Sequence, residues 1–213
     1  MTKRRKVNKK RLAILIAAII TMIALGIFLF LMLNRDDNRV VKCIEGFEKY
    51  CLTSDHTDLY RDLFMELNDV LTADEIDEEA YARLVAKMFI ADFFDLDSKS
   101  SNNDIGGTVF VHPDIVNNFK ENANNTIYKF VEQNISRERD QELPIVSEIT
   151  IDNIKTAEFT IEEETFVGFL VELYWDYARD LGYQTTAILE IVKVDRYLYI
   201  IKLAEKEAST ENQ

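Results

Sequence analysis

Read for hydrophobic and polar positions, the chain divides into an apolar block, a helical stretch and a strand-rich stretch. Residues Leu12 to Leu33 are uncharged and almost wholly apolar, 22 in a row. At about 1.5 Å per residue this run makes roughly 33 Å of helix, enough to cross a hydrocarbon core of about 30 Å. It lacks the polar stripe that a soluble amphipathic helix carries.

After a short polar connector, 34–39, the apolar positions Val40, Ile44, Phe47 and Cys51 recur at helical spacing and predict a helix. Ser54 and Asp55 read as a stop and a new N-cap, and Leu59, Leu63, Leu67 and Leu71 line one side of a second helix. Thr72-Ala73-Asp74-Glu75 reads as a capping box that opens a third. That helix has a broad apolar face: Tyr81, Leu84, Val85, Met88, Phe89, Phe93 and Phe94. Asp97 to Gly107 is the longest predicted loop, and Thr108 to Val111 a short strand. Pro113 suits the first turn of a fourth helix reaching about Asn134.

Beyond the charged connector 136–142 the period changes from helical to alternating. Ile145 to Thr150, Ala157 to Ile161, Thr165 to Tyr177, Thr185 to Val194 and Tyr197 to Leu203 are rich in Val, Ile, Thr and aromatics and predict strands. Asp152-Asn153 and Asp195-Arg196 are the expected tight turns. In the third of these strands Val167, Phe169, Val171, Leu173 and Trp175 share one face. Helices first and antiparallel strands last predict an α+β domain over 40–204, with 205–213 as a flexible tail.

Charge changes the picture at the N-terminus. Lys3, Arg4, Arg5, Lys6, Lys9, Lys10 and Arg11 precede the apolar run, and Lys and Arg beside a span bias it positive-inside. Residues 1–11 are therefore expected to be a cytoplasmic tail, 12–33 a transmembrane helix in contact with lipid, and the remainder extracytoplasmic. A cleaved signal peptide would have a shorter apolar region and a small-x-small cleavage site. Here the run exits through Leu31-Met32-Leu33-Asn34-Arg35, so a permanent anchor is predicted. Seven of the 25 basic residues and none of the 38 acidic ones lie ahead of Asn34, leaving the remainder at −20. That sign excludes nucleic-acid binding through clustered phosphate contacts. It favours basic proteins or metal counterions, or simply a self-repelling soluble surface.

About 180 residues beyond the span are a normal size for one domain. Cys43 and Cys51 fall on the predicted first helix, where eight residues span about 12 Å, beyond a disulfide. They are expected to be small apolar fillers, with an intermolecular bridge as the alternative.

Candidate chemistry is sparse. Neither His56 nor His112 has the i, i+4 spacing of a zinc helix, and both sit at predicted helix starts beside Asp caps. Asp95, Asp97 and Asp104 with Asn102 and Asn103 make an oxygen-rich loop that departs from EF-hand spacing and suits turn chemistry. Glu162, Glu163 and Glu164 form an acidic run at a predicted hairpin end. Gly-rich phosphate loops, nucleophile elbows and Cys/His nucleophile patterns are missing. No catalytic residue, metal ligand or cofactor is therefore predicted. Tyr174, Trp175, Tyr177 and Tyr183 are the remaining candidate, as the mouth of a pocket, an interface or plain core packing.

The order of the segments 40–95, 108–111, 113–134 and 145–203 resembles the cone of the nuclear transport factor 2-like superfamily. In that fold helices pack into a strongly bent antiparallel sheet. The basic tail, single span and size of the exported domain resemble VirB8-like proteins of conjugation and type IV secretion machines. The resemblance lies in element order, without a short motif, so no site residue is carried over. It implies a non-enzymatic scaffold that assembles with other envelope proteins or with itself. A ligand-binding sensor or carrier using the cone interior is the second expectation, and an enzyme built on the same cone the third.

Overall fold

A computed structural model describes residues 21–26, 40–134, 138–161 and 164–206. The predicted basic tail, all of the predicted span except 21–26, Glu162 and Glu163 lie outside the described residues. Residues 21–26 are helical, and among the described residues no helix is long and apolar enough to cross a membrane. The described residues from Val40 onward form one compact unit, the domain described below.

The domain is α+β. It opens on an antiparallel hairpin, β1 (Val40–Ile44) and β2 (Phe47–Thr53), in place of the predicted helix. Gly46, at φ +76°, lets the chain turn within the two residues Glu45 and Gly46. The helical spacing of Ile44, Phe47 and Cys51 is a coincidence of the turn: Ile44 and Phe47 face each other across the ladder. Tyr50 and Leu52 then alternate inward, as a strand requires. The same register places Cys43 opposite Cys51, Cα–Cα 4.0 Å, and the two form a disulfide. Both cysteine expectations are thus corrected, because the distance across a ladder replaces the distance along a helix.

Helix α1 (Asp58–Leu71) starts two residues later than expected, capped by Thr57 in place of Asp55, with the Thr57 hydroxyl accepting from the Tyr60 N–H. Helix α2 (Glu78–Phe93) starts at Asp77, whose carboxylate accepts from the Glu79 and Ala80 N–H groups, not at the Thr72 capping box. It is buried on nearly every side, from Tyr81 to Phe93, and forms the centre of the core. The predicted strand at Thr108 to Val111 is a 3-10 turn (Thr108–Phe110), and Val111 makes only one bridge, to Ile200. Helix α3 is short (Val116–Asn125) and stops well before Asn134. Asn124 and Asn125 are weak helix formers, and the Thr126 hydroxyl closes the end on the Asn122 carbonyl.

Four antiparallel strands follow in sequence order: β3 (Val146–Ile161), β4 (Glu164–Tyr177), β5 (Thr186–Val194) and β6 (Tyr197–Ala204). Five strands were expected. The Asp152-Asn153 turn is instead an irregularity inside one long strand, with Ile151 opposite Leu173 and Asn153 opposite Glu172, so that Asp152 is the extra residue. Lys206 pairs with both Asp152 (2.6 Å) and Glu172 (2.9 Å) over this bulge. The Asp195-Arg196 turn is where the sequence places it, with Asp195 at φ +55°.

The core lies between the helices and one face of the sheet. Val171, Leu173 and Trp175 of β4 and Ala187, Leu189 and Ile191 of β5 are buried beside Phe89, Phe93 and Phe94. Val167, on the same face of β4, has run past this core and is 60 % exposed. The hairpin is tied in by two tyrosines: the Tyr50 and Tyr81 hydroxyls bond at 2.8 Å, and Tyr81 accepts from the Leu198 N–H of β6.

Candidate functional site

Of the four aromatic residues singled out in the sequence, Trp175 and Tyr177 lie on one face of β4, Tyr174 on the other, and Tyr183 in the connection to β5. Trp175 is buried with its ring 4.4 Å from that of Phe94. Tyr177 meets Trp175 edge-on at 6.5 Å, and Tyr183 meets Tyr177 at 6.4 Å. The Tyr177 hydroxyl donates to the Gln184 carbonyl (2.8 Å), which fastens the connection between β4 and β5 to the sheet. Burial pushes the Tyr177 phenol up to about 12. Trp175 Nε1 itself has no partner at hydrogen-bonding distance. Tyr174 points the other way and is 44 % exposed. The structure therefore brings three of the four together as packing and leaves Tyr174 on the outer face.

A second site, missed in the sequence, lies under the loop 95–107. Asp92 sits near the end of α2 between Ala91 and Phe93, both buried. Its Oδ1 pairs with Lys99, whose side chain is 8 % exposed, and its Oδ2 accepts from the Gly107 N–H (2.6 Å). Burial works against the Asp92 charge, but Lys99 and the Gly107 N–H outweigh it and hold the carboxyl below its ordinary range. Burial likewise opposes the Lys99 charge, and Asp92 outweighs it. The close approach needs two glycines. A Cβ at Gly106 would overlap the Asp92 carbonyl, and Gly107 lies at φ +69° against the Phe89 ring. The Tyr128 hydroxyl donates to the Phe93 carbonyl (2.6 Å) and accepts from the Gly106 N–H (3.1 Å), closing the other side.

His56 borders this cluster without capping a helix. Its Nδ1 accepts from the Thr53 N–H (3.0 Å), so the neutral ring carries its proton on Nε2. The ring stacks on Tyr60 at 3.8 Å. Burial lowers its pKa, opposed by Asp92 and Asp55 and reinforced by Lys99 and Arg61. Between His56, Tyr60, Asp92 and Lys99 the free space is about 10 Å³, room for one water molecule. His112 sits apart, its Nδ1 3.6 Å from the Asp114 carboxylate and its ring 5.5 Å from that of Tyr199.

The carboxylates of the oxygen-rich loop are taken up by partners within the domain. Asp95 accepts from the Ser98 N–H (3.1 Å) and the Val146 N–H (3.2 Å), although burial raises its pKa. Asp104 accepts from the Ser100 N–H (2.8 Å), and Asp97 faces Arg139 at 3.6 Å. Among the described residues no group of three or more His, Cys, Asp or Glu is arranged to hold a metal ion. Asp92 and Lys99 were legible only as a lone Asp inside an apolar helical run and a lone Lys in the next loop. That pattern is the one a buried ion pair leaves in a sequence.

With its acid and base groups bound to each other and to the backbone, this cluster fastens the loop 95–107 to α2. Comparison with protein-family models, with curated proteins and with solved structures finds no match for this chain.

Proposed function

We propose that this chain is a single-pass, membrane-anchored scaffold with an acidic extracytoplasmic domain, working through its outer surface as a non-enzymatic part of an envelope assembly. The observation that carries this reading is the filled interior. Phe89, Phe93, Phe94 and Trp175 occupy the space between α2 and the sheet where a cone-shaped domain would hold a ligand. The buried charges beside them are spent on Lys99, Gly107 and the loop backbone.

Two further features support it. The Cys43–Cys51 disulfide suits an oxidising compartment outside the cytoplasm. The apolar run 12–33 behind a basic tail is what a positive-inside anchor needs. A nuclear transport factor 2-like cone, and a VirB8-like place in a secretion or conjugation machine, belong to this same proposal. The bulge in β3 favours a bent sheet, since bulges bend the strand that carries them.

The test uses the full chain in membranes. A C-terminal reporter that folds only outside the cytoplasm is expected to be active, and Cys43 and Cys51 to resist thiol labelling until reduced. An inactive reporter, or free thiols in unreduced membranes, overturns the topology. Native sizing in mild detergent is expected to find the chain in a complex, and a lone monomer overturns the scaffold.

A further inference from the structure

The segment 139–145, which leads into β3, runs beside the 178–181 turn that leaves β4, and the Ala178 N–H donates to the Ile145 carbonyl (2.9 Å) where they meet. Between them lies an open cleft of about 340 Å³, within the usual range for ligand sites, roughly 300–1,000 Å³. Leu143, Ile145 and Leu181 supply apolar wall, and Ile145 is 44 % exposed.

The charges around this cleft are not equally available. Arg139 is fully committed: its side chain is 2 % exposed and donates to the carbonyls of Asp97 (2.8 Å), Lys99 (3.0 Å) and Glu132 (3.2 Å). Arg179 pairs with Glu142 at the rim, both about two-thirds exposed (66 % and 64 %). Such an exposed pair contributes only about 0–1 kcal/mol and exchanges readily. Asp140 is exposed and has no ion partner among the described residues. The charge left for a ligand is therefore negative, on a part of the chain carrying −20.

We propose that this cleft docks a basic, apolar segment of a partner protein: an extended stretch in which Lys or Arg alternates with aliphatic residues. The aliphatic side chains cover Ile145 and Leu181, which are left partly open to water. The cations meet Asp140, and Glu142 once it releases Arg179. A second copy of this chain fits poorly, because two domains of the same strong negative charge repel. This inference rests on the scaffold reading and names the kind of partner its surface takes.

The experiment titrates the full chain, in detergent micelles, with the synthetic peptide acetyl-Lys-Leu-Lys-Leu-Lys-amide by calorimetry. The Glu-Leu and Lys-Ser counterparts serve as controls. The Lys-Leu peptide is expected to bind, more weakly at high salt, and the controls at least tenfold more weakly. Asp140→Lys and Ile145→Glu, both at exposed positions that leave the fold intact, are each expected to weaken it tenfold or more. Glu121→Lys on α3, the same charge change outside the cleft lining, is expected to weaken it less than twofold. Equal loss with Glu121→Lys, no loss with Ile145→Glu, or no binding at all overturns the cleft.

A photoreactive side chain at Leu181, or separately at Tyr174, then separates the two readings in native membranes. Adducts at Leu181 that disappear with Asp140→Lys support the cleft. Adducts from Tyr174 alone overturn the cleft and leave the scaffold standing, and adducts from neither overturn both.

Discussion

Two polar regions of this domain use the same residue types to opposite ends. Under the loop 95–107, Asp92, Asp95, Lys99 and Arg139 turn inward and are matched to partners within the chain. Along 139–145 and 178–181, Asp140, Glu142 and Arg179 face water around an open cleft. The charges of the first region are needed by the fold, because a buried charge without its partner is costly. Those of the second are left over for a ligand, because water already solvates them and exchanging one partner for another costs little. Arg139 links the two: it stands in the cleft wall yet belongs to the loop. A list of charged residues near a pocket therefore overstates what the pocket can offer.

The sharpest break of this comparison is Lys99→Met. It removes the cation and leaves Asp92 nearly buried beside Phe93. Unfolding free energy in urea is expected to fall by about 3–5 kcal/mol, and a loss under about 1 kcal/mol would place the pair in the solvated class. Gly106→Ala drives a methyl group into the Asp92 backbone, which cannot swing aside. It is expected to cost about 3 kcal/mol, the upper part of the overpacking range. A neutral outcome by thermal melting would mean that the loop does not press on α2.

Protonation gives a smaller effect. Burial holds His56 below its ordinary 6.5, so the folded state favours the neutral ring. Stability from this group is complete above about 6.5 and is lost as pH falls through the lower folded value. Urea midpoints of His56→Gln are therefore expected to fall less steeply than wild type between about pH 7 and pH 5. Parallel curves would show that His56 titrates as if in solvent. The smallest change belongs to the cleft: Asp140→Asn and Arg179→Ala are each expected to shift stability by no more than about 0.5 kcal/mol. A larger loss would move those residues to the structural side of the comparison.

The anchor proposed for 12–33 rests on the side chains themselves, the apolar block and the basic residues ahead of it, and on nothing they touch. Helices α1 and α2, strands β4 to β6 and the Asp195-Arg196 turn were legible for a related reason. Their periods of 3.6 and 2 are local, and each buries a continuous face. The hairpin at Val40–Thr53 was not, since its inward residues straddle a turn and mimic a helical repeat. Pairing Cys43 with Cys51 follows from the register that this turn creates. The bulge at Asp152 depends on what β4 presents opposite it, and the aromatic group divided because Tyr174 and Trp175 are consecutive on one strand. Only the folded chain could decide that Asp92 meets Lys99 and Gly107 while Asp140 lies exposed beside the cleft with no ion partner among the described residues. Sequence states which charges exist, but whether a charge is spent or free depends on burial and on partners brought close by the fold.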